Sequence, residues 1–193
     1  MPFSWRDFRA DERPLDKSNG HAQFSLALAY ANSYHIGMSS LGFQRVYALV
    51  NGTPDWSCER FFTDGVGTPR SGETGRPLSA FGAVAFSVSF EEDYVNLLRL
   101  LGRAGIPLRR RDRRADEPLI LLGGSCAAIN PLTLAEFVDI FALGAAENLL
   151  PGLLAALAEE SSREAVIERL AASPGYFVPA HHRPAETGVV DKL

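Results

Sequence analysis

Apolar runs alternate with stretches that carry apolar residues at helical spacing, and glycine, proline or serine marks most of the changes between them. Phe24 to Tyr30 has the length and apolar density of a strand, and Phe43, Val46, Tyr47 and Val50 then fall on one face of a helix spanning Met38 to Val50. Between the two lies a polar loop that includes Asn32, Ser33, His35 and Gly37. Cys58 to Thr63 predicts a short second strand. Asp64 to Pro77 has no period and much glycine and proline, so a mobile connection is expected there. Ala83 to Phe90 is the clearest strand and runs into Glu91-Glu92-Asp93, three acids suited to the positive end of a helix dipole. Tyr94, Leu97, Leu98 and Leu101 form the apolar face of that helix, which stops at Gly105 with Pro107 beyond.

Leu119 to Leu122 is an apolar run ending in Gly123 and Gly124. Glycine tolerates positive φ and removes the Cβ that keeps a ligand or a neighbouring segment at a distance, so backbone is expected to come close to something here. Asn130 is placed to cap a helix with Pro131 at its first position. Phe137 to Leu143 predicts a strand ending at Gly144. A helix with Leu149, Leu150, Leu153, Leu154 and Leu157 as its buried stripe follows, then a shorter one from Ser162 to Ala172, and 175–179 leaves as an extended segment.

Five alternations of strand and helix specify an α/β protein with a parallel sheet covered on both faces and right-handed crossovers. In such sheets ligands bind beyond the carboxyl ends of the strands, where the strand order reverses. The residues expected there are Asn32 to Gly37, Ser87 to Glu91 and Gly123 to Ser125. Ser87 and Ser89 share one strand face. Two readings of them stand open: lining for a cofactor slot, or small residues that let a helix pack tightly.

The 193 residues are 46% hydrophobic and 22% charged, enough for one sizeable core, and the net charge of −4 gives no bulk attraction to nucleic acid or an anionic membrane. The basic run from Arg109 to Arg114 is expected to be a solvated connecting loop. Residues 1–23 read as a polar extension in which Phe3, Trp5 and Phe8 are candidates to dock an arm, residues 24–179 as the folded domain, and 180–193 as a linker. The two cysteines, Cys58 and Cys126, form no metal-ligand spacing and cannot supply three thiolates to one iron–sulfur cluster. With no signal-like leader and no apolar run near the roughly 20 residues a bilayer takes, a cytoplasmic protein is expected. No Ser/His/Asp set, paired-acid set or phosphate loop appears, so the chain is expected not to be catalytic by itself.

Taken in order, Tyr34-His35-Ile36-Gly37-Met38-Ser39-Ser40-Leu41-Gly42-Phe43-Gln44, Phe86 to Glu91, Leu122-Gly123-Gly124 with Asn130-Pro131, and Asp139, Gly144 and Glu147 resemble the N-terminal, cobalamin-binding-like domain of a group of radical S-adenosylmethionine (radical SAM) proteins. The resemblance spans about Phe24 to Pro179. It implies a flavodoxin-like (Rossmann-like) three-layer sandwich with five strands in the order 2-1-3-4-5. It also implies an accessory role in handling cofactor or substrate, with cobalamin as the candidate cofactor. Asn32, Ser33, His35, Gly37, Ser87, Ser89, Glu91, Gly123, Gly124 and Ser125 are then the cofactor-binding residues. The alternative it leaves open is a degenerate domain of the same fold that docks a protein or the barrel itself. Such proteins usually continue into a radical SAM barrel whose CxxxCxxC motif holds a [4Fe–4S] cluster that cleaves S-adenosylmethionine, so the expected partner is that barrel in cis. Ser33-Tyr34-His35-Ile36-Gly37 departs from the Asp-x-His-x-x-Gly of cobalt-ligating modules: Ser stands for Asp and one residue is missing before Gly37. His35 is accordingly not expected to bind metal. Gly144-Ala145-Ala146-Glu147 likewise lacks one of the acids of the usual Gly-Glu-Gly-Glu.

Overall fold

The computed structural model describes residue 12 and residues 22–182; the proposed docking residues Phe3, Trp5 and Phe8 and most of the expected linker lie outside them. Six strands form one sheet in the order β2-β1-β3-β4-β5-β6. They are β1 (Phe24–Tyr30), β2 (Trp56–Phe61), β3 (Ala83–Ser87), β4 (Leu119–Gly123), β5 (Ile140–Ala142) and β6 (Tyr176–Phe177). The first five run parallel. The expected five-stranded sheet is corrected by β6, which adds antiparallel to β5 through Phe141 opposite Phe177 and Ala142 opposite Tyr176.

Strand side chains alternate between the two faces and so divide the core in two. Ala27, Ala29, Val84, Phe86, Ile120, Leu122 and Phe141 belong to one cluster, with Leu97, Leu100 and Leu101 of α3 (Asp93–Arg103) packed on them. Leu26, Leu28, Tyr30, Leu121 and Ile140 belong to the other. That face is covered by α2 (Leu41–Asn51), α5 (Ala146–Glu159) and α6 (Arg163–Ala171). β1 thus gives alanines to the cluster that holds α3, and Leu26, Leu28 and Tyr30 to the one that holds Phe43 and Val50 of α2. Both residues of β6 are buried, one on each face, which is why so short a strand holds.

Three local readings are corrected. The polar loop after β1 contains a short helix, α1 (Tyr34–Ser39), and α2 starts at Leu41, with Ser40 Oγ accepting from Phe43 N at 3.3 Å. The helix expected at Pro131 is a single 3-10 turn over Pro131–Leu134, and Asn130 makes no side-chain cap; α4 (Ser125–Ile129) precedes it. Within the basic run, Arg113 turns inward, donating to Asp139 Oδ2 at 2.8 Å and to Pro107 O at 2.9 Å.

The segment from Asp64 to Pro77 is tied down by polar bonds, not by an apolar stripe. The Arg103 guanidinium, at the end of α3, donates to the carbonyls of Thr63, Gly65 and Gly67. Ser71 Oγ accepts from Gly75 N and Arg76 N, and Gly72 N donates to Arg60 O. The segment thereby covers β2, whose residues are all buried although it is the sheet's edge strand.

Candidate functional site

The connections leaving the carboxyl ends of β1, β3 and β4 meet at one edge of the sheet. β1 and β3 are neighbours, with Tyr30 opposite Ser87, yet the chain leaves them toward opposite faces: into α1 and α2 on one, into α3 on the other. This is the reversal point at which a doubly wound sheet opens a crevice.

Asn32 and Ser33 stand on the β1 side. Asn32 Oδ1 accepts from Ser33 N at 2.8 Å, its carbonyl accepts from Thr63 N, and its Nδ2 donates to Asp93 Oδ1 at 2.7 Å. α1 lacks a side-chain cap of its own, and Asp64 Oδ2 instead accepts from Tyr34 N at 2.6 Å from the end of β2. His35 is exposed on α1 beside the Tyr34 ring, while Gly37 is buried: a Cβ there would meet the Phe62 ring at 2.5 Å.

On the β3 side the strand ends at Ser87, so Ser89 belongs to the following loop and the two serines do not share a strand face. Val88 N donates to Gly123 O at 3.0 Å, and Ser125 Oγ reaches Ser89 O at 3.5 Å. Glu91 is exposed in the turn before α3. Gly124 has φ 107°, and a Cβ there would overlap the Val88 carbonyl oxygen and sit 3.1 Å from Val88 C and N. The close approach expected at the glycine pair is therefore made, and the Val88 backbone makes it. Gly123 is roomier, with only Ala142 Cβ nearby at 3.9 Å.

Ser33, Ser87, Ser89, Gly123, Gly124, Ser125 and Asn32 thus line or adjoin one edge; His35 and Glu91 stand on its outer side, and Gly37 lies on the buried side of α1. One residue at this edge went unrecognised in the sequence. Asp93 is 2% exposed, and while its Oδ1 takes Asn32, no hydrogen bond reaches Oδ2 among the described residues. Its signal was present: Asp93 falls four residues before Leu97, on the apolar face of α3 rather than among the solvent-facing acids.

Around this edge apolar side chains point to solvent. Phe90, after β3, is 57% exposed and Ile129, after β4, is 77% exposed; Ile36 and Leu41, after β1, and Leu132 are exposed as well. Both cysteines are buried, on opposite faces of the sheet, and burial pushes both thiols up in pKa. Among the described residues no group of three or more His, Cys, Asp or Glu is placed to hold a metal ion, and no helix is long and apolar enough to cross a membrane.

The order β2-β1-β3-β4-β5 with its reversal between β1 and β3 defines a doubly wound α/β domain. Residues 42–179 match the family described as radical SAM proteins, N-terminal, and the chain belongs to that family. No curated protein and no solved structure matches it.

Proposed function

We propose that this chain is the accessory domain of a radical SAM protein and that the carboxyl edge of its sheet is where the radical SAM domain of the same polypeptide docks. The observation that carries the reading is the ring of exposed apolar residues, Ile36, Leu41, Phe90, Ile129 and Leu132, on the connections from β1, β3 and β4. Family membership supports this choice of occupant, since the matched region is described as the N-terminal part of radical SAM proteins. Burying these side chains against it removes apolar surface from water at about 25 cal/mol per Å². The [4Fe–4S] cluster and S-adenosylmethionine belong, in this reading, to that partner domain.

Cobalamin or substrate handling at the same edge is the second reading. It is supported by the polar set Asn32, Asp93, Ser89 and Ser125 beside the reversal point. Gly124 lends it no support, because the Val88 backbone already fills the room its hydrogen leaves.

Hydrogen exchange of this chain, alone and joined to the radical SAM domain, separates the two. Docking predicts slowed exchange in 88–92 and 125–132 without cobalamin. Slowing that appears only when hydroxocobalamin is added would overturn docking in favour of cofactor handling.

A further inference from the structure

Near the carboxyl end of the edge strand, β2 carries a buried arginine that grips two carboxylates. Arg60 donates from Nε to Glu73 Oε1 at 2.7 Å, and its main-chain N–H donates to Glu73 Oε2 at 2.6 Å. Glu73 is thus the standing counter-ion, held by side chain and backbone together. The remaining two nitrogens reach a different residue: Nη1 donates to Glu12 Oε1 at 3.0 Å and Nη2 to Glu12 Oε2 at 2.8 Å. This is the two-pronged pairing that suits a planar carboxylate. Tyr34 OH donates to the same Glu12 Oε1 at 2.5 Å. The Tyr47 ring lies under the guanidinium at 4.6 Å, and Met38 Sδ is 3.2 Å from Nη1.

Charge makes the second carboxylate informative. Glu73 alone neutralises Arg60, yet Glu12 is only 15% exposed beside a guanidinium that is 6% exposed. A second carboxylate so little exposed is costly unless its oxygens are specifically met. Here they are met, by three directed donors. Burial pulls the Arg60 pKa down, but the hydrogen bonds to Glu12 and the charge of Glu73 more than reverse this, so the guanidinium stays charged.

The geometry points to a carboxylate-binding site made by Arg60 and Tyr34, whose resident occupant is the exchangeable side chain of Glu12, which ties residue 12 to β2 and α1. α1 is then held at two points, by Asp64 on its first N–H and by Glu12 on the Tyr34 hydroxyl. It carries His35 and Ile36 on the carboxyl edge, which couples the latch to that face.

The test replaces the side chain and returns its chemistry from solution. In the full chain, Glu12→Ala removes a carboxylate about the size of acetate. Sodium acetate is then expected to bind saturably, followed by the Arg60 Nε–H resonance, while acetamide and sodium chloride at equal ionic strength do not bind. The wild-type chain, with Glu12 in place, is expected to show no saturable acetate binding. Adding Tyr34→Phe to Glu12→Ala should weaken acetate roughly tenfold, the size expected of one hydrogen bond to a charged group. Folded Glu12→Ala that ignores acetate, or that takes acetamide equally well, overturns the site. Should Glu12→Ala not fold in chloride, folding restored by acetate alone supports it and failure in both salts counts against it. Glu12→Gln keeps the shape but loses the charge. It should speed amide exchange across Tyr34–Ser39, and wild-type exchange there would overturn the coupling to α1.

Discussion

Gly124 lies directly against the main chain of Val88, and its φ of 107° with ψ of 175° belongs to a region that is open essentially to glycine alone. Two constraints act at once: the backbone angle and the absence of room for a Cβ. Gly124→Ala is therefore expected to cost stability by about 2 kcal/mol or more, from strain of about 1–3 kcal/mol and displacement of the β3 loop. Gly123→Ala, whose Cβ would meet only Ala142 Cβ at 3.9 Å, serves as the control and should cost well under half as much. Urea midpoints of the two variants check this. Equal losses would mean that the Val88 contact does not set the requirement.

Asp139 sits between two arginines at the start of β5. Its Oδ2 accepts from Arg113 Nη1 and from Ile120 N, each at 2.8 Å, and its Oδ1 lies 2.7 Å from Arg163 Nη2. That last contact is one of charge, because Nη2 makes no directed hydrogen bond, while Arg163 Nη1 donates to the carbonyls of Glu117 and Pro118. Burial and the neighbouring Arg163 lower the Arg113 pKa, with Asp139 opposing them. Asp139→Ala would leave two buried guanidiniums facing each other, and a loss of about 3–5 kcal/mol is expected. Chemical denaturation measures it; a loss near 1 kcal/mol would show that water reaches the arginines.

What the sequence made legible follows from what apolar periodicity can report. Four of the five parallel strands and the three longest helices announce themselves through short apolar runs or apolar residues at period 3.6, whereas β2 buries Ser57, Glu59 and Arg60 and is the fainter signal. β6 gives none, since two residues establish no period and its pairing with β5 is fixed by the partner strand. α1 was hidden because Asp64, thirty residues downstream, provides its first acceptor. Arg113 and Glu73 were unreadable for the same reason: in a run of arginines or a Gly/Pro-rich stretch, nothing local marks the one charge that turns inward. At the site, the glycine pair correctly announced a close backbone approach, but which segment approaches is a tertiary fact.

The apolar ring makes a separable demand. Phe90 and Ile129 are exposed and support no core cluster, so Phe90→Asp and Ile129→Asp should each change the stability of this chain by no more than about 0.5 kcal/mol. If the radical SAM domain covers them, the same changes should weaken its association at least tenfold, as expected for large apolar side chains at an interface centre. Stability is read by thermal melts and association by calorimetry on separated domains. Unchanged affinity in both variants would move the docking surface elsewhere.

Tyr176 gives the chain a dependence on alkaline pH. Its hydroxyl donates to Leu149 O at 2.5 Å, and burial pushes its pKa from 10.0 up to about 12. Below pH 10 the phenol is protonated in the folded and unfolded states alike, so its contribution is fully present. Between pH 10 and 12 the unfolded chain gives up this proton while the folded chain keeps it, so the unfolded state binds fewer protons and stability falls as pH rises. Tyr47, likewise raised mainly by burial, pushes in the same direction. Urea midpoints at pH 8.5 to 11 should therefore decline in the wild-type chain, and Tyr176→Phe should decline less steeply, its curve approaching that of the wild type as pH rises. Parallel curves for the two proteins would mean that the Tyr176 hydroxyl titrates as it does in the unfolded chain.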